Sequence, residues 1–127
     1  MEKDKTFIEP EWCKKFKNIR CGFTLPILGN FALTRKSIYS GRTTQENRIN
    51  LASILSVEKN MVFSPKQTHS DIIINVEESL IGKGVYDLKG AIEGDACFTK
   101  IKNLLLFTTY ADCVPVIIFD SKLKVAG

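Results

Sequence analysis

Six short runs rich in β-branched and aromatic residues, at positions 61–65, 71–76, 95–99, 104–109, 114–119 and 123–126, fill the second half of the chain and most restrict its fold. Each has strand length and is set off by polar or turn-forming residues, so this half is expected to be mainly sheet. Several of the runs are apolar without alternation, which predicts burial on both faces under helices or a second sheet. Ahead of them, Thr43 and Glu46 have capping-box spacing, and Ile49, Ala52 and Leu55 recur on one helical face, which predicts a helix from Thr43 onward. Residues 18–24 read as a short strand, and residues 25–34, which include Pro26 and Gly29, as a surface loop. The expected fold is α+β, with mixed β-sheets covered by helices in a single domain over 1–127. The last strand-like run stops at Gly127 with no polar tail or helix after it. That predicts an incomplete C-terminus and an uncovered sheet edge or face.

The chain is 44% apolar and 25% charged over 127 residues, the balance of one globular domain rather than a disordered chain. Its formal charge of +4 owes much to Lys3, Lys5, Lys14, Lys15, Lys17 and Arg20. Acidic residues are interleaved with these, and aromatics do not alternate with them as a base-stacking surface requires. A solvated basic face is expected, and no nucleic-acid partner. Cys13, Cys21, Cys97 and Cys113 are widely spaced with no CxxC pair, and no signal peptide is visible, which together predict free thiols in a reducing, cytoplasmic setting. The longest apolar run, Leu104 to Phe107, is too short to span a membrane. Repeats and linkers are not seen, and oligomeric state is not legible.

Chemistry concentrates in two places. His69, the single histidine, stands in "KQTHSD" between two expected strands, and "YADCVPVIIFD" sets Asp112, Cys113 and Pro115 inside apolar sequence. Pro115 biases Val114 toward an extended conformation, so Cys113 is expected at a strand end or bulge that aims it into a site. Two readings use His69 and Cys113 together. His69 can act as a base that activates Cys113 as a nucleophile, with Asp112 or another acid orienting the ring. Alternatively the thiolate and imidazole are zinc ligands, a reading one ligand short of the three that a catalytic zinc takes. Cys97 is expected to be buried. Asp95, after Gly94 at a strand entry, is expected to cap a turn or hydrogen-bond a neighbouring site residue. "GKG" at 82–84 lacks the spacing of a phosphate loop and is read as a turn.

In order along the chain, "CGFT", "ENRINLASIL", "KQTHSDIIINV", "EGDACFT" and "LLLFTTYADCVPVIIFD" resemble the bacterial laccase-domain family, also called multicopper polyphenol oxidoreductase or YfiH-like proteins. The resemblance runs from about Cys21 to the end. It implies a zinc-dependent purine nucleoside phosphorylase that takes adenosine, inosine or methylthioadenosine with phosphate and also deaminates adenosine; older family descriptions name copper. It implies His69 and Cys113 as metal ligands, Asp112 as a catalytic or ligand-orienting acid, Gln67 as a substrate contact and Arg48 as a phosphate contact. The family's third ligand belongs to a His-Ala-Gly-Trp-Arg-Gly motif that this sequence lacks, so impaired activity is expected. The chain also carries "LPILGNF" where the family has an arginine and a Gly-Gly-Val-Ser turn. The rival readings are a metal-free Cys113/His69 thiol hydrolase and an inactive or interaction-only fragment.

Overall fold

The structure is a computed structural model and describes residues 6–33 and 43–127. Within them, one α-helix and four two-stranded sheets make an α+β fold. β1 (Phe7–Ile8) pairs antiparallel with β2 (Phe23–Thr24). The helix α1 (Thr44–Ile54) follows, then β3 (Val62–Phe63), β4 (Ile73–Asn75), β5 (Ala96–Phe98), β6 (Leu105–Leu106), β7 (Phe119–Asp120) and β8 (Val125–Ala126). β3 pairs with β6 and β4 with β5, both parallel, while β7 and β8 form an antiparallel hairpin.

α1 begins where the capping box predicts. The Glu46 amide donates to Thr43 Oγ1 at 3.2 Å and the Thr43 amide donates to Glu46 Oε2 at 2.7 Å, satisfying two amides at the helix start. Its buried face differs from the expected one. Thr44, Asn47, Arg48, Leu51 and Ala52 point inward, whereas Ile49 is 43% exposed. The helix turns its polar side chains inward because the chain beside it presents main-chain carbonyls. Asn47 Nδ2 donates to Asn30 O at 2.8 Å, and Arg48 donates to Phe31 O. Residues 25–33 are accordingly more than a surface loop: Leu28 and Phe31 are buried against Leu51. Residue 34, the last of that expected loop, lies outside the described residues.

Two further clusters fill the interior. Phe63, Ile74, Val76 and Cys97 join β3, β4 and β5, with Leu104 and Leu106 packed against them. Ala52, Val62 and Val85 join α1 to β3, with Leu105 and Phe107 alongside. Cys97 is 8% exposed, as its alternation in the sequence predicts. The 82–84 segment is a turn. Gly84 has φ +69, and a Cβ there would lie 2.0 Å from Ser64 O, so only glycine fits.

The expectation for 114–119 is corrected. Only Phe119 joins a strand, and Val114, Val116 and Ile118 are 87%, 69% and 67% exposed. Residues 108–117 make no main-chain hydrogen bond to another described residue, and pairing resumes where the amide of Ile118 donates to Gly127 O at 2.7 Å. The stretch alternates, with Val114, Val116 and Ile118 facing solvent and Pro115, Ile117 and Phe119 half-buried, the Phe119 ring centroid 5.3 Å from that of Phe16.

Candidate functional site

The parallel β3–β6 pair sets the geometry. The Phe107 amide donates to Phe63 O at 2.9 Å, which extends the ladder one residue beyond β6. In a parallel pair both chains leave at the same end. The segment toward His69 and the segment toward Cys113 therefore depart together from the carboxyl ends of β3 and β6.

The His69 segment is fixed along its length. The Lys66 amide donates to Ile92 O at 2.8 Å, the Gly94 amide donates to Lys66 O at 3.0 Å, and Lys66 Nζ pairs with Glu93 Oε1 at 3.0 Å. Gln67 and His69 are exposed between these ties and β4. Next, the Asp95 carboxylate gathers the turn. The amides of Thr68, His69 and Ser70 donate to it at 3.3, 3.1 and 2.7 Å, and Ser70 Oγ donates at 2.7 Å. The hydrogen bonds from the Ser70 amide and hydroxyl, reinforced by the two other amides, hold the Asp95 carboxyl down at about 2. Its sequence position had signalled such a role.

The Cys113 segment is a bend over 111–113 in which Asp112 has φ +67, and Tyr110, Ala111, Asp112 and Cys113 are all exposed. The expected strand end is instead a solvent-facing bend.

Arg48 is not placed to contact phosphate, and that expectation is corrected. It is 7% exposed. Nε and Nη2 donate to Phe31 O at 2.9 and 2.7 Å, and Nη1 donates to Gly84 O at 2.9 Å and Val85 O at 2.7 Å. The guanidinium also lies 4.8 Å from the Phe107 ring centroid. Burial lowers its pKa to about 10, so it remains charged at neutral pH. Arg48 therefore ties the loop before α1, the glycine turn and the first residue beyond β6. Sequence reading missed this role, as it missed Asn47 and Gly84, because each depends on carbonyls remote in sequence.

The donor chemistry suits zinc. His69 offers an imidazole and Cys113 a thiol, both exposed and so open to an ion. Among the described residues, however, no group of three or more His, Cys, Asp or Glu side chains is arranged to hold a metal. They supply at most this pair.

Comparison with known proteins follows the same lines. The multi-copper polyphenol oxidoreductase laccase family matches residues 19–127, and the chain belongs to that family. It is 32% identical over 76 residues to adenosine deaminase RL5 from an unknown prokaryotic organism, covering 59% of this chain and 29% of that protein. It is 37% identical over 79 residues to purine nucleoside phosphorylase SACOL1200 of Staphylococcus aureus strain COL, covering 61% of this chain and 30% of that protein. The chain thus spans about 30% of the length of these relatives. Its fold matches the crystal structure of Bacillus licheniformis hypothetical protein YfiH with a TM-score of 0.77 and 26% identity, over 84% of this chain and 43% of that one. YlmD from Geobacillus stearothermophilus matches with a TM-score of 0.69 and 26% identity, over 76% and 36% of the respective chains.

Proposed function

We propose that this chain is part of a zinc-dependent purine nucleoside phosphorylase that also deaminates adenosine. The observation that carries the reading is the departure of the His69 and Cys113 segments from one end of the parallel β3–β6 pair. The names of relatives at 32–37% identity support the substrate class, purine nucleosides with phosphate. Four free cysteines support a cytoplasmic setting.

When bound, zinc supplies a Lewis acid and an activated water. The chain's own contribution is to hold His69 and Cys113 toward the ion and to place Gln67, whose amide both donates and accepts, beside His69 for a base edge or ribose hydroxyl. Asp112 adjoins Cys113 on the exposed bend and serves as an acid that moves a proton or orients the ligand segment. Phosphate must find its cation elsewhere, since Arg48 is engaged with main-chain carbonyls. With two donors of its own, the 127-residue chain is expected to turn over far more slowly than a family-length relative.

The test is release of free base from inosine and adenosine, with and without phosphate, alongside ammonia release from adenosine. In a family-length protein carrying this sequence, base release should require phosphate, stop with a chelator and disappear in His69→Ala and Cys113→Ala. Chelator-insensitive hydrolysis that still needs Cys113 would replace this reading with the thiol hydrolase. Base release by the 127-residue chain at the rate of a family-length relative would contradict the two-donor account.

A further inference from the structure

His69 has a left-handed backbone, a conformation that few non-glycine residues adopt although histidine enters it more readily than most. Its φ is +56, in the left-handed region, where a non-glycine side chain crowds its own backbone. Such a conformation persists only where the surroundings over-determine it. Here they do so through one group. In this turn the amides of three successive residues, Thr68, His69 and Ser70, converge on the Asp95 carboxylate, a concave set of N–H donors of the kind that binds an anion.

Asp95 is itself held firmly. Its amide donates to Ile72 O at 3.1 Å, and the next residue, Ala96, opens β5 opposite Ile73 of β4. The register of the β4–β5 pair therefore sets where the carboxylate stands, and the carboxylate sets the backbone of the chain's one histidine. Ser70 strengthens the arrangement by donating from both its amide and its hydroxyl.

We propose that Asp95 is a positioning residue for His69, locking its backbone in the left-handed turn so that the imidazole is held ready for its ligand. The proposal rests on the reading of His69 as a zinc ligand. It adds that ligand readiness is built into the β4–β5 register through a carboxylate 26 residues away in sequence.

The experiment uses the isotopically labelled 127-residue chain, in which the imidazole resonances of the single histidine are unambiguous. Zinc is titrated against wild type and Asp95→Asn, while the φ of His69 is read from its amide coupling and carbon shifts. With the resonances of α1 and the sheets unchanged, the variant should lose the left-handed φ and show a zinc midpoint weaker by roughly tenfold or more. A retained φ, or a midpoint within about twofold of wild type in the folded variant, overturns the proposal. Should Asp95→Asn fail to fold, Ser70→Ala keeps the three amides on Asp95 and removes the hydroxyl that donates to it and accepts from Thr68 Oγ1 and the Ile72 amide. A midpoint weakened about threefold then supports the proposal, and an unchanged one overturns it. His69→Ala is the control for the zinc reading. If it binds zinc as wild type does, that reading falls, and the φ of His69 in the Asp95 and Ser70 variants alone decides the positioning role.

Discussion

Arg48 and Asp95 each gather main-chain groups remote in sequence, Arg48 the carbonyls of Phe31, Gly84 and Val85 and Asp95 the amides of Thr68, His69 and Ser70. Asp95 could be singled out from sequence because an acid after glycine at a strand entry has few local uses. Arg48 could not, because its partners Phe31 O, Gly84 O and Val85 O lie 17 to 37 residues away. Arg48→Ala removes a buried charged donor set and leaves those carbonyls short of partners. The expected loss is on the order of 3 kcal/mol in urea unfolding, with no specific effect on phosphate affinity in a family-length protein. Asp95 gives a pH prediction. Its folded-state pKa lies below the ordinary 3.8, so its contribution to the turn is present above that value and is lost as pH falls toward about 2. The side-chain carboxyl carbon shift of Asp95 should hold steady from pH 7 to about 5 and move only below the ordinary carboxylate range. A carboxyl carbon that titrates at or above the ordinary carboxylate value would contradict that assignment.

At the scale of elements, the start of α1 was readable because a capping box is local, whereas its inward face was not, because Asn47 and Arg48 face in for the sake of carbonyls outside the helix. Thr43→Ala should cost about 1 kcal/mol by chemical denaturation, the usual worth of an N-cap. Gly84→Ala meets both a positive φ and Ser64 O, and should cost about 1–3 kcal/mol. Because the Gly84 carbonyl accepts from Arg48, its effect should fall short of additive with Arg48→Ala in a double-mutant cycle. The short strands were legible as apolar runs, yet the runs overstate their length. Only two or three residues of each pair, and the run at 114–119 contributes Phe119 alone.

For the whole molecule, the order of motifs made the family visible, while the parallel pairing that brings the His69 and Cys113 segments to one end was not legible. Strand pairing is decided by tertiary packing of clusters such as Phe63, Ile74, Val76 and Cys97. The same packing sorts the thiols. Burial pushes Cys97 up to about 11, and burial together with the neighbouring Cys13 thiol pushes Cys21 up to about 12. Iodoacetamide at pH 8, followed by peptide mass mapping, should therefore label exposed Cys113 first, and zinc should slow that labelling selectively. Labelling of Cys97 as fast as Cys113 would contradict the packing described.

That His69 and Cys113 hold one metal ion together is tested most directly by X-ray absorption on the zinc-loaded chain. The shell should be mixed, with one sulfur at about 2.3 Å and imidazole nitrogen at about 2.0 Å, the sulfur vanishing in Cys113→Ser and the imidazole signature in His69→Ala. A shell of light atoms alone in the wild-type chain, or one unchanged by either substitution, would contradict it.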